Sequence, residues 1–586
     1  MKEKIIVILL LIMVLQVNAG VHFVSKTGSG VPPFATWATA ADRIQKAIDI
    51  AKRGDTVYVA NGVYEDTVRM TPCISLIGGG MDSCIIDTRK LVRLTDFYAV
   101  VIDDSCLFSG FHLIVTDTSY CNISGPLGCG IVTPFHKTTG SLITYNRISN
   151  AAYALYIYDA ETIIKHNIIS PGTMGQGITL SASTYWLLPL IDSNYFYTDS
   201  YAISVSFGTR PTISHNIFSL KGQFGNAFSG GAADTMKFLN NIIISESNDF
   251  CIDNIDRPTY TTNNTIICKN NYGVGIGIEN KNYITNNTII NGAYGIYSGG
   301  SPIVKYNNSW NNKTNYYGVR PDSTNISVDP MFVNADGLDF HLQKYSPLID
   351  AGDPSIKDVD GTRSDIGAYG GPRGEKYVYP DLPPKPPANF SVSFDEKKIT
   401  LKWDKNTEAD FSHYTVYRDT VKNFIPDSSK IIAQLKGTIF VDGLNPSKNY
   451  YYKICATDNQ ENRSEPGKET GVITGVNNKP EITGNEYRLY QNYPNPFNPS
   501  TKISYWLKKA GYVKINVYDI KGALVEVLEN GYKTAGNNQV EFTAIKKNST
   551  DWIESIASGI YLYSIEVKDE NNIPIFREIK KMIMVK

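Results

Sequence analysis

Asparagine returns at a near-constant spacing through the middle of this chain, each time ahead of an apolar residue two places on. The anchors are Asn146, Asn167, Asn194, Asn216, Asn241, Asn264, Asn287 and Asn308, at successive intervals of 21, 27, 22, 25, 23, 23 and 21 residues. Two places later stand Ile148, Ile169, Phe196, Phe218, Ile243, Ile266, Ile289 and Trp310, all apolar, while the residue between is mixed. One inward column beside one outward column is the period-2 pattern of a strand. A second short strand follows in most repeats, at Ala154–Ile157, Gly177–Leu180, Ala202–Val205, Gly275–Ile278 and Gly295–Tyr297. A unit of this size without a helix cannot bury its apolar column alone. Stacked units can, so the repeat predicts a parallel β-solenoid. The residues just before the anchors are Tyr145, His166, Ser193, His215, Asn240, Asn263, Asn286 and Asn307. Stacked asparagines there are expected to hydrogen-bond from rung to rung as a ladder. His166 and His215 share that column and are read as ladder members before catalytic bases.

The rest of the chain agrees with an all-β protein. Its 586 residues hold 38 Tyr and 47 Gly, suited to strands and turns. With 56 basic against 57 acidic residues there is no basic excess to neutralise phosphates, which argues against nucleic acid. Lys2 and Lys4, the apolar run Ile5–Leu15, and Val17 and Ala19 as small residues at −3 and −1 of a cleavage site predict a secretory signal peptide over 1–19. No later stretch is long and apolar enough to span a membrane. From Trp37 to Lys52 the apolar residues Ile44, Ala47, Ile48 and Ala51 fall at helix spacing, so a helix is expected to cap the apolar end of the solenoid. Export permits disulfides. Cys73 with Cys84, and Cys121 with Cys129, are candidate local staples, and isolated Cys455 is expected to be a buried free thiol.

The stretch IQKAIDIAKRGDTVYVANGVYED, the asparagine-anchored rungs, and the segments VDPMFVN, DFHLQKYSPLIDAGDPS and DGTRSDIGAYGG together resemble secreted bacterial right-handed parallel β-helix proteins of the pectate-lyase-like superfamily. The resemblance implies a β-helix domain over 20–379. It implies no particular chemistry, because that superfamily includes lyases, hydrolases, epimerases and non-catalytic members. Proline-rich PDLPPKPP (380–387) predicts a stiff linker. Residues 388–475 resemble a fibronectin type III domain, which implies that Trp403 fills the core and that Tyr450, after Leu444-x-Pro446, is the corner tyrosine. Residues 476–586, with YPNPFNPST and a terminal KKMIMVK, closely resemble the type A C-terminal sorting domain of the bacterial type IX secretion system. That resemblance implies the secretion machinery as a partner, and a protein released or attached to the outer cell surface.

No catalytic motif stands out. Candidate bases in the rungs are Lys165, Arg210, Lys237, Arg257, Lys269, Lys281 and Lys305, but no tight carboxylate cluster accompanies them. Tyr156, Tyr158, Tyr185, Trp186, Tyr195 and Tyr197 lie in neighbouring rungs, where aromatic faces could stack on sugar rings; tyrosine is also simply a good strand residue. Asp358, Asp360 and Asp365, with Asp353 nearby, form the densest acidic group. They are candidate ligands for a structural calcium ion, with Asx-turns and caps as the other reading. Two functions therefore stay open. One is a non-catalytic glycan-binding protein. The other is a polysaccharide lyase or glycoside hydrolase working on the outer face of the β-helix.

Overall fold

The computed structural model describes residues 19–585, apart from 92–97, 116–127, 135, 184–186, 207, 231–235, 255–258, 271–272, 279–281, 396–397, 444–448, 473–486 and 548–552. The expected signal peptide therefore lies, up to residue 18, outside the described residues. The chain divides into two compact units, Met1–Ile473 and Thr474–Lys586.

The first unit is dominated by a β-solenoid of three parallel sheets, with twelve, eleven and eleven strands among the described residues. A typical turn gives one strand to each. Around Asn216 these are Thr212–Ser214, Ile217–Leu220 and Phe228–Gly230. The sequence pattern shows the second and third of these. The strand ahead of each asparagine has only three or four residues in most turns and carries no alternation long enough to read. Neighbouring turns pair in register, so Ile148, Ile169, Phe196, Phe218, Ile243, Ile266 and Ile289 form one buried column. Within it the Phe196 and Phe218 rings stack at 4.8 Å and 12°. The last repeat is shifted by one residue from the expectation. Ile289 lies beside Ser309, and Trp310 lies beside Ile290 in the outer column. The anchor there is Asn307, not Asn308.

The asparagine ladder is real, but it is built by the anchors themselves. The Oδ1 of each anchor accepts from both the backbone N–H and the Nδ2 of the anchor one turn earlier. The chain of bonds runs from Asn146 through Asn167, Asn194, Asn216, Asn241, Asn264, Asn287 and Asn307 to Asn325, at 2.8–3.1 Å. Each bond satisfies buried groups that a tight corner would otherwise orphan. The column before the anchors has another task. Tyr145, His166, Ser193, His215, Asn240, Asn263, Asn286 and Tyr306 all have φ between 53° and 58°. This left-handed corner is a conformation that asparagine tolerates better than most residues.

His215, Asn240, Asn263 and Asn286 of that corner column hold a returning segment. Residues 326–379 pass over the outer surface of the second sheet and bury Ile244, Ile267 and Ile290 beneath Phe332, Phe340, Leu342, Leu348 and Ile366. Asn240 Nδ2 donates to the carbonyls of Ala368 and Gly370 at 2.8 and 2.7 Å. Asn263 Nδ2 donates to Asp365 O at 2.9 Å, and Asn286 Oδ1 accepts from Asp353 N–H at 2.7 Å. Glycine is needed for so close an approach: a Cβ on Gly370 would sit 2.8 Å from Asn263 Nδ2 and 2.2 Å from Asp365 O.

At the other end of the solenoid the expected helix is shorter than its pattern. Only Ile44–Ile48 is helical, after a single 3-10 turn at Trp37–Thr39. Its buried residues Ile44, Ala47 and Ile48 nevertheless cover the apolar end of the core. Of the expected disulfides, Cys73 and Cys84 carry free thiols. Cys73 sits at a corner with φ 63°, whereas Cys84 faces the core from the second sheet, where its thiol meets Val59 O and Ala60 O. Cys129 is buried under Tyr98, Tyr153 and Tyr156, and Cys121 lies outside the described residues. Cys455 is a buried free thiol, as expected.

Residues 391–472 form two antiparallel sheets of three and four strands. Trp403 fills the space between them, edge-on to Tyr414 at 5.3 Å. Tyr450 lies under the Arg418 guanidinium at 5.3 Å, while Leu444 and Pro446 lie outside the described residues. The second unit contains antiparallel sheets of three, four and two strands. Its Asn–Pro-rich string is structural. Asn492 N–H donates to the Tyr563 hydroxyl, which donates onward to Tyr490 O, both at 2.8 Å, while Phe497 is buried in the core.

Candidate functional site

The edge of the returning segment creates a cleft of about 560 Å³. Its floor is Ile217 and Ile242 on the second sheet, and its wall is Tyr369 and Arg373–Lys376. His215 stands at the corner between them. Its Nδ1 lies 2.8 Å from Asp192 Oδ1 and its Nε2 lies 2.7 Å from Arg373 O. Both partners accept, so His215 bonds the two of them at once when both ring nitrogens carry protons. The hydrogen bond to Asp192 raises the His215 pKa against the opposing effect of burial. Burial pulls Asp192 upward, but bonds from His215, Ser214 and Ser193 outweigh it and hold the carboxyl at about 2. A ring with both nitrogens engaged by the protein is a clamp on the returning segment, with neither nitrogen directed at a substrate.

The clamp has a pH signature. A raised histidine stabilises fully below its unfolded value near 6.5, and that contribution fades as pH rises through the folded pKa. The lowered Asp192 stabilises above about 4 and fades as pH falls toward 2. Asp365, in the same segment, is pushed up to about 6, first by burial and against bonds from Asp350 N–H and Tyr379. Its contribution is complete below about 4 and is lost as pH rises through 6. Hydrogen exchange of residues 366–376, corrected for intrinsic rates, is therefore expected to be slowest at about pH 4, where Asp192 is ionised and Asp365 still protonated, and to quicken as pH rises toward 6. At that pH His215→Ala should speed it about fivefold, roughly 1 kcal/mol after allowance for solvent screening.

The floor of the cleft continues into an aromatic shelf. In the outward column of the second sheet, Ile217 pairs with Ile242 on one side and Tyr195 on the other. Neighbouring strands lie about 4.8 Å apart. The rings of Tyr195 and Tyr197 are 5.0 Å apart and tilted by 41°, with Tyr197 38% exposed. Tyr156 and Tyr158 do not share this face. They lie on the third sheet, where Tyr156 packs edge-on to Tyr153 at 6.0 Å. Tyr185 and Trp186 lie outside the described residues. The sequence candidates thus divide between two faces.

The acidic group spends its oxygens locally. Asp358 accepts from the N–H groups of Asp365 and Gly371, Asp360 from Thr362 N–H and hydroxyl, and Asp365 from Asp350 N–H and the Tyr379 hydroxyl. Among the described residues no three His, Cys, Asp or Glu side chains are grouped to hold a metal ion. Of the candidate bases, Lys165, Lys237 and Lys305 lie on the first sheet, away from the cleft, Lys269 pairs with Glu246 at 4.0 Å, and Arg257 and Lys281 lie outside the described residues. The cations of the cleft, Arg373 and Lys376, come from the returning segment and were not among the sequence candidates. A usable signal was present three places after each anchor. Ser149, Ser170, Tyr197 and Ser219 give way there to Ile244, Ile267 and Ile290, an outward column turning apolar where something covers it.

Residues 491–581 match the family of secretion system C-terminal sorting domains. The protein is therefore exported through the type IX secretion machinery and is secreted or attached to the outer cell surface. No helix among the described residues is long and apolar enough to cross a membrane. No curated protein matches the chain. Solved structures similar to it include the A-module of the Azotobacter vinelandii mannuronan C-5 epimerase AlgE4, at 16% identity and a TM-score of 0.34, covering 49% of this chain and 88% of that one. The A-module of the AlgE6 epimerase from the same organism is similar at 14% identity and a TM-score of 0.27, covering 49% and 94%. The Clostridium perfringens spore cortex lytic enzyme SleM is similar at 22% identity and a TM-score of 0.13 over 19% of this chain, which spans 33% of that protein's length.

Proposed function

We propose that this exported protein binds a polysaccharide on the outer face of its second sheet, along the Tyr195–Tyr197 shelf and into the adjoining cleft, with residues 388–475 serving as a fibronectin type III-like spacer. The observation that carries this reading is the continuity of the shelf with the cleft. An aromatic surface for the flat side of a sugar ring leads, one strand spacing on, to a pocket walled by Arg373, Glu375 and Lys376. These groups supply donors and acceptors for hydroxyl and carboxylate substituents. Binding is favoured over turnover because the histidine at this cleft has no nitrogen free to act as a base.

The test is retention of the full chain on immobilised acidic and neutral glycans. Tyr195→Ala with Tyr197→Ala is expected to weaken retention about tenfold, since each ring contributes roughly 0.5–1.5 kcal/mol of stacking. Tyr156→Ala on the third sheet should leave it unchanged. Failure of the parent protein to bind any glycan would refute the proposal. Release of unsaturated or reducing ends would replace it with the lyase or hydrolase reading.

A further inference from the structure

Two thiols on consecutive turns meet inside the solenoid. Cys251 lies in the third-sheet strand Phe250–Asn254, and Cys268 ends the second-sheet strand Thr265–Cys268 of the following turn. Both residues are completely buried, and their Sγ atoms are 3.9 Å apart. A disulfide requires about 2.05 Å between sulfurs, so closure needs an approach of about 2 Å. The space beside Cys268 is kept open by glycine. A Cβ on Gly292 would lie 3.2 Å from its Sγ, and one on Gly273 would lie 3.6 Å away. The sorting domain sends this chain out through an oxidising compartment, where such pairs persist as disulfides.

We propose that the exported protein carries a Cys251–Cys268 disulfide, a covalent staple between adjacent turns. The oxidant is a disulfide of a thiol–disulfide oxidoreductase or of glutathione. One cysteine thiolate attacks it, forming a mixed disulfide and releasing one oxidant thiolate. The second cysteine thiolate displaces the other oxidant sulfur. In sum the two cysteines lose two protons and two electrons, and the oxidant disulfide becomes two thiols. Since neither sulfur is accessible in the finished coil, the exchange belongs to the stage before these turns close. The staple would hold the third-sheet strand of one turn to the second-sheet strand of the next.

Mass mapping of the full chain collected after export, denatured in the presence of an alkylating agent without reductant, tests this without a variant. The segment spanning both cysteines is expected to be lighter by two hydrogens and to take up at least about tenfold less label than after reduction. Cys455, a buried thiol in another domain, should label completely in both samples. Full alkylation of Cys251 and Cys268 without reductant would overturn the proposal. A stability comparison gives a second readout. Reductant should lower the unfolding midpoint of the exported protein and leave that of the Cys251→Ala/Cys268→Ala variant unmoved. An equal response of both would also count against the staple.

Discussion

Replacing Asn241 with alanine is expected to cost the solenoid about 3–4 kcal/mol, seen as a fall in the denaturant midpoint. Asn241 lies in the middle of the ladder and is wholly buried. Its Oδ1 accepts from the backbone N–H and Nδ2 of Asn216, and its Nδ2 donates to Ile213 O and to Asn264 Oδ1. Alanine leaves the Asn216 N–H and the Ile213 carbonyl without these partners, each at about 1–3 kcal/mol, and opens a small cavity besides. The isosteric Asn241→Asp separates hydrogen bonding from packing. It keeps the acceptor that Asn216 needs but turns a carboxylate oxygen toward Ile213 O and Asn264 Oδ1, so acceptor faces acceptor. This variant should be at least as unstable as Asn241→Ala at neutral pH and should recover as acid protonates the new carboxyl. An unfolding free energy within about 0.5 kcal/mol of the parent's for both variants would show that the ladder contributes nothing beyond filling space.

The ladder also shows how far the chain can be read without coordinates. Periodicity identified the inward column from Ile148 to Ile289 because burial on one side of a strand imposes a regular choice of residue. It placed the hydrogen-bonding asparagines one residue too early, because the left-handed corner and the ladder select the same side chain at adjacent positions for different reasons. Asn240 and Asn263 satisfy φ near +54° and grip the returning segment, while Asn241 and Asn264 bond along the stack. At Asn307-Asn308 the two roles collide in sequence. Tyr306 takes the corner, Asn307 takes the ladder, and Asn308 turns outward to hold Val328. The candidate site was half legible. Tyr195 and Tyr197 were among the six aromatic candidates of neighbouring rungs, and the structure puts these two on one strand beside the cleft. Arg373, Glu375 and Lys376 were not, since they reach the cleft only because residues 326–379 fold back over the second sheet, a contact between segments far apart in sequence. Pairing Cys73 with Cys84 failed for a related reason: eleven residues carry the chain from a corner on one sheet to the core side of another.

Phe340→Ala should open that returning segment. The ring is buried between the segment and the outward isoleucine column, edge-on to Phe332 at 5.4 Å. Truncating a buried phenylalanine typically costs about 3–5 kcal/mol. The segment rests on the outside of a sheet whose own core is closed beneath it, so the loss is expected as local opening before global unfolding. Amides in residues 326–379 should exchange at least about a hundredfold faster, the equivalent of roughly 3 kcal/mol, while those of the strands at Ile164 and Ile191 keep their protection. Equal acceleration in both places would mean that segment and solenoid unfold as one unit. The same variant separates the two halves of the proposed glycan surface. Phe340 does not line the cleft, and the shelf tyrosines belong to the solenoid. Retention should therefore fall with Phe340→Ala if the wall carrying Arg373 and Lys376 contributes to binding, with the shelf intact. Retention equal to that of the parent, with the segment demonstrably open, would confine the glycan to Tyr195 and Tyr197.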